Sequence, residues 1–102
     1  MSNGREGLNF SPETKAERFA LQEGRCAETG EKGRLQGHHK IPIWFFHKYM
    51  KDTEENREYI RSGGNLEYVI EKVHPKADKY AEENIEFLKM VITYVLGSEA
   101  LK

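Results

Sequence analysis

Cysteine is nearly absent from this 102-residue chain, where Cys26 stands alone. A single thiol forms no disulfide within the chain and supplies no Cys₂ or Cys₄ zinc site. Long apolar runs are missing too. The richest stretch, Met90 to Leu96, is far shorter than the ~20 residues a membrane-spanning helix requires, so no membrane partner is expected. The polar opening, Met1-Ser2-Asn3-Gly4-Arg5-Glu6-Gly7, lacks the apolar centre of an export signal, and the expected compartment is a reducing cytoplasm. Neither sign of charge dominates: the net charge is −1, without the strong basicity of a dedicated DNA-binding domain. Repeats, low-complexity tracts and linkers are also missing. One domain over residues 11–102 is expected, behind a loose segment at 1–10.

What is present is charge, at 32%, and moderate apolarity, at 37%, the balance of a globular domain with a thin core. The charge is uneven. Residues 1–51 carry nine Lys/Arg against six Asp/Glu, a balance of +3, and residues 52–102 carry seven against eleven, a balance of −4. A basic half can attract phosphate, although many proteins show as much asymmetry.

Local signals give the order helix, β-turn-β, helix, β, long helix. Ser11-Pro12-Glu13 is a capped helix start, and Ala16, Phe19 and Ala20 form one apolar face before Gly24. Thr29 to Gly33 reads as a turn between short extended pieces. Trp44 to Arg61 holds an inserted helix, ended by Ser62-Gly63-Gly64, and Asn65 to Ile70 is a strand. A last helix places Ala77, Tyr80, Ala81, Asn84, Leu88, Val91, Ile92 and Val95 on one side, with Gly97 as its C-cap. That stripe is core or a dimer seam, so the expected state is a monomer or weak homodimer.

The chain has four histidines, and their placement is informative. His38 and His39 are adjacent at the end of an extended piece, where neighbouring side chains face opposite ways, so the pair does not easily share one ion. His74 and Asp78 lie four apart on a helix, stacked on one face as two ligands of one ion must be.

The ordered set Gly37-His38-His39-Lys40-Ile41-Pro42, Gly64-Asn65-Leu66 and His74-Pro75-Lys76-Ala77-Asp78 resembles the HNH endonuclease family, HH type, over roughly Arg25 to Tyr80. Asn65 precedes His74 by nine residues and Asp78 by thirteen, the spacing of that motif; Asn56, eighteen before His74 and outside a Gly-Asn-Leu context, is set aside. The resemblance implies an α+β, mostly helical fold with a ββα-metal (His-Me finger) hairpin-and-helix core and flanking helices. It implies His38, His74 and Asp78 as metal ligands, His39 as the general base, and Asn65 as the residue that holds the hairpin by bonding the base's backbone.

Such a site would hydrolyse DNA phosphodiester bonds with one divalent metal ion, nicking as a monomer. Histidine titrates near neutrality and can take a proton from water, while a metal ion offsets charge developing on phosphate. A nitrogen-rich ligand set accepts Zn²⁺, Ni²⁺ or Co²⁺, with Mn²⁺ or Mg²⁺ expected to support turnover. Lys40, His47, Lys48 and Lys51 are candidate nucleic-acid contacts, although surface lysines are more often a solvated face. Trp44, Phe45 and Phe46 are expected in the core rather than as a base-stacking platform. The alternatives are an RNA-directed nuclease on the same site and a non-catalytic, metal-stabilised nucleic-acid-binding module.

Many HNH proteins also carry two Cys-x-x-Cys pairs around a structural zinc. Here only Cys26 remains, and the second pair would fall at Ile70 and Val73. No structural zinc is expected; apolar packing around a buried Cys26 should take its place.

Overall fold

The computed structural model describes residues 7–102. Ser11 opens the first helix, α1 (Pro12–Leu21), by accepting a hydrogen bond from the Thr14 amide at 3.1 Å, with Pro12 in the first turn. The helix is where the sequence places it, but its apolar face is not the packed one. No residue of α1 is buried, Ala16 and Ala20 are exposed, and Phe19 meets Tyr68 only edge to face at 5.5 Å. The contact is polar instead: the Gln22 side chain accepts from the Tyr68 amide at 2.8 Å and donates to its carbonyl at 3.0 Å. A side-chain amide here satisfies the edge of a strand that lacks a further neighbour.

That strand belongs to a two-stranded antiparallel sheet, β1 (Leu35–His39) with β2 (Leu66–Ile70), in the register Leu35↔Ile70 to His39↔Leu66. The earlier extended piece amounts to an isolated Arg25↔Lys32 bridge around the expected turn. Between the strands lie α2 (Ile43–Tyr49) and α3 (Glu54–Ile60), where a single inserted helix was expected. Two causes divide it. Met50 leaves the helix in extended conformation to bridge Leu101, and Thr53 caps a new helix by accepting from the Asn56 amide at 3.1 Å.

The last helix is also divided, into α4 (His74–Glu83) and α5 (Ile85–Leu96). Asn84, at the break, donates through its side chain to the Tyr80 carbonyl at 2.8 Å, a local bond that competes with helix continuation. The break re-aims the apolar stripe. Ala81, Leu88 and Ile92 are buried, whereas Tyr80 and Val95, expected beside them, are about half exposed. Gly97 ends α5 with φ +97°, a conformation that favours glycine.

Two apolar clusters result. The larger gathers Ile41, Phe45, Phe46, Met50, Ile60, Ala81, Leu88, Ile92 and Ala100 together with Leu8. Within residues 7–10, Leu8 is fully buried and Phe10 nearly so, whereas Gly7 and Asn9 are exposed. The expectation for residues 1–6 lies outside the described residues. The smaller cluster joins Cys26, Val69 and Ile70, with Leu35 and Val73 against them. The apolar packing expected of Ile70 and Val73 around Cys26 is present. The architecture is α+β, with five helices around one small sheet among the described residues, none of them long and apolar enough to cross a membrane.

Candidate metal centre

β1 alternates. Gln36 and His38 point to one face, and Gly37 and His39 to the other. Directly after β2, Val73 ends a turn and α4 begins at His74, with Pro75 in its first turn, and α4 packs against β1. Residues four apart on α4 therefore look at the Gln36–His38 face of the strand.

The result is a converging donor set. His38 Nδ1 lies 3.2 Å from Asp78 Oδ1, His74 Nε2 lies 3.6 Å from the same oxygen, and one ligand atom from each residue lies within 4.8 Å of the others. Ligand atoms about 2.1 Å from a shared ion stand roughly 3.0–3.4 Å apart, so these three fit one ion after small side-chain adjustments. His38 is buried, His74 half-buried and Asp78 exposed, which leaves the open side of the set towards solvent.

A second contact holds the set in place. His74 Nδ1–H donates to Gln36 Oε1 at 2.6 Å, which leaves the Nε2 lone pair for the Asp78 side. Gln36 was not singled out in the sequence, although its position two residues before His38 on a strand was a readable signal. His38 itself is held below the usual imidazole range, chiefly by burial, with Asp78 pulling the other way. Neutral imidazole is the form that ligates a metal, so the shift favours binding.

The three residues line a cleft of about 610 Å³ together with His39, Pro42, Trp44, His47 and Glu82. Of the four residues considered as nucleic-acid contacts, only His47 lines it. Lys40, Lys48 and Lys51 are exposed elsewhere, with the Lys48 ammonium over the Tyr49 ring at 5.4 Å. Trp44 corrects another expectation. Phe45 and Phe46 are core, but Trp44 is 38% exposed and forms part of the cleft wall. Glu82 was missed, although it continues the four-residue spacing of His74 and Asp78.

His39 departs from the ligand set, as alternation requires. Its Nε2–H donates to the Leu8 carbonyl at 2.9 Å, and its ring stacks on Phe10 with centroids 4.1 Å apart. Asn65 is buried and fully engaged: its side-chain oxygen accepts from the Ile41 amide at 2.7 Å, and its nitrogen donates to the carbonyls of Ile41 and Ile60. The backbone it grips is that of Ile41, two residues past the expected base, while its own carbonyl accepts from the Lys40 amide at 2.9 Å. These bonds pin the exit of β1 to the entry of β2.

The chain matches no family model, no curated protein and no solved structure.

Proposed function

We propose that this protein is a metal-dependent endonuclease of the ββα-metal type that cleaves one DNA strand per site. The observation that carries the reading is the joint placement of His38, His74 and Asp78 as a three-donor set, with His39 next to it on the same strand and in the same cleft. Two imidazoles and a carboxylate on one side of an ion leave coordination positions open to a substrate, an arrangement suited to Mn²⁺, Co²⁺, Ni²⁺ or Zn²⁺ and compatible with Mg²⁺.

When bound, the ion supplies electrostatic stabilisation of the phosphate and of the leaving 3′ oxygen. His39 takes a proton from a water as that water's oxygen attacks phosphorus. The P–O3′ bond breaks and the departing 3′ oxygen takes a proton from solvent water, giving a 5′-phosphate and a 3′-hydroxyl. Proton transfer to a placed base is worth about 10²–10⁴-fold. His38, His74 and Asp78 would hold the ion, and Gln36 orients the His74 ring. Asn65 fixes the strand end that carries His38 and His39. A histidine placed beside, but outside, the ligand set favours catalysis over a purely structural metal site.

The test is supercoiled plasmid incubated with Mn²⁺ or Mg²⁺ and either wild type or His39→Ala. Nicked circles from the wild type and none from the variant are expected, with metal affinity unchanged in the variant. No product in any metal, while the metal still raises the melting temperature, would sink the proposal. A parallel RNA substrate reports which polymer the site prefers.

A further inference from the structure

Trp44 is a large aromatic side chain, 38% exposed, on the wall of the cleft that holds the candidate ligand set. Helix geometry puts it there. Phe45 and Phe46 turn into the core, and another side of α2 presents Trp44 and His47, three residues apart, to the cleft. A second wall is α4, with His74, Asp78 and Glu82 at four-residue intervals, and Gly37 to His39 of β1 complete the lining. The indole is held by Phe45, with ring centroids 5.9 Å apart and 62° between planes. α2 belongs to the stretch inserted between the two strands, so this wall is an addition to the hairpin and helix that carry the donors.

The fixed charges of this cleft do not favour a phosphate backbone. Among the described residues its lining includes two carboxylates, Asp78 and Glu82, and neither lysine nor arginine. Affinity for a strand therefore has to come from a bound ion and from contacts that do not depend on charge. An exposed indole supplies such a contact, because every nucleobase has a π face and stacking requires no particular sequence. That face must be free. In a duplex each base is covered above and below by its neighbours. A cleft of about 610 Å³ also takes a ligand of small-molecule size rather than a double helix. We propose that Trp44 is the stacking platform for an unpaired base beside the phosphate at the ligand set, which makes single-stranded or locally unpaired DNA the substrate class of this site. This inference rests on the nuclease reading for the identity of its ligand. Supercoiled plasmid satisfies it, since negative supercoiling favours strand separation, whereas relaxed duplex does not.

Trp44 is the single tryptophan of the chain, so its emission reports on this wall alone. The experiment uses the full chain with Zn²⁺ for binding and with Mn²⁺ for cleavage. Short oligothymidylate should quench the emission, and an abasic backbone of the same length and charge should not. In Trp44→Leu, which stays apolar but cannot stack, anisotropy of a labelled oligothymidylate should show affinity lower by about five- to a hundredfold. Affinity for the abasic backbone, which depends on charge alone, should remain within about twofold. Trp44→Phe, which stacks, should restore most of the loss. Cleavage should follow the same order, with circular single strands and supercoiled plasmid cut faster than relaxed circles, and with that preference reduced in Trp44→Leu. If Trp44→Leu fails to fold, the comparison of base-bearing and abasic strands on wild type decides the matter without a variant. Equal quenching by both strands, unchanged affinity in folded Trp44→Leu, or relaxed circles cut as fast as single strands would each overturn the platform and leave the nuclease reading standing. A wild type that shows the base-dependent quenching and cuts nothing refutes the nuclease reading and leaves the platform as a binding site.

Discussion

Asp78 is the exposed member of the proposed ligand set, and its two neighbours are the shielded ones. Precise placement of the imidazoles therefore depends on what backs them. Gln36 backs His74, and replacing it by leucine should lower metal affinity by about 10–100-fold without altering the fold, the usual cost of losing a hydrogen bond behind a ligand. Titration calorimetry of wild type and Gln36→Leu checks this, and equal affinities would remove Gln36 from the site. His38 makes a separate prediction. Its pKa is depressed by burial against the opposing pull of Asp78, so the unfolded chain binds the proton more readily than the folded one. The associated stability is fully present above about pH 6.5 and is lost as pH falls from there through the lower folded value. In metal-free protein the melting temperature should drop more steeply with acidification in wild type than in His38→Gln. Comparing the two cancels Glu67, whose carboxyl is raised by burial and which shifts stability in the opposite direction. Parallel curves would show that His38 does not contribute.

Between β1 and β2 stand two whole helices, and the strands still pair in register. The device that holds them is Asn65, with three side-chain hydrogen bonds to the backbones of Ile41 and Ile60. The bond to Ile60 also ties the end of α3 to the sheet. Asn65→Ala leaves buried backbone groups without partners, and chemical denaturation should register a loss of about 2–3 kcal/mol. Metal affinity should fall as well, because His38 rides on the strand end that Asn65 holds. A loss below about 0.5 kcal/mol, the scale of a surface change, would mean that solvent replaces the side chain. Asn56 does the same work at the other end of the insert, donating to the carbonyls of Lys51 and Ala100 and joining α3 to the C-terminal segment. The two asparagines separate by context rather than by residue type. One pins the sheet and the other pins the C-terminal turn.

At the scale of the molecule, a chain of this length has a modest core divided into two clusters, and the candidate metal centre lies on the α4–β1 contact. An ion bound there would join a strand to a helix in the folded state only. Binding at a hundredfold excess over its Kd should add about 2.7 kcal/mol of stability. For a domain near 100 residues, that corresponds to a rise in melting temperature on the order of 10 °C or more. Thermal scans of wild type and His74→Ala across a Zn²⁺ titration test this, the variant being expected to show little or no rise. Trp44 gives an independent reading, since the single tryptophan of the chain lines the cleft and its emission should respond to Co²⁺ or Ni²⁺. A large metal-induced rise that persists in His74→Ala would place the ion elsewhere.

The sequence by itself determined the local features. The Ser11 cap, the Gly97 stop, the β2 strand and the four-residue spacing of His74 and Asp78 all follow from chemistry within a few residues. It also determined the split between His38 and His39, because strand alternation is a property of the backbone. The packing of Ile70 and Val73 around Cys26 was legible for a similar reason, since apolar side chains at those positions had to be buried somewhere. Only the tertiary structure decided which face of a helix is inside. α1 turns its apolar residues outward while Gln22, just past it, bonds the edge of β2, and the stripe on the last helix divides at Asn84, which bonds backward to Tyr80. Tertiary packing likewise brought Gln36 behind His74 and Leu8 and Phe10 against His39. Those contacts span about thirty to forty residues of chain, and no local periodicity encodes them. The paired histidines could be found from their neighbours in sequence, but what holds each of them could be found only from their neighbours in space.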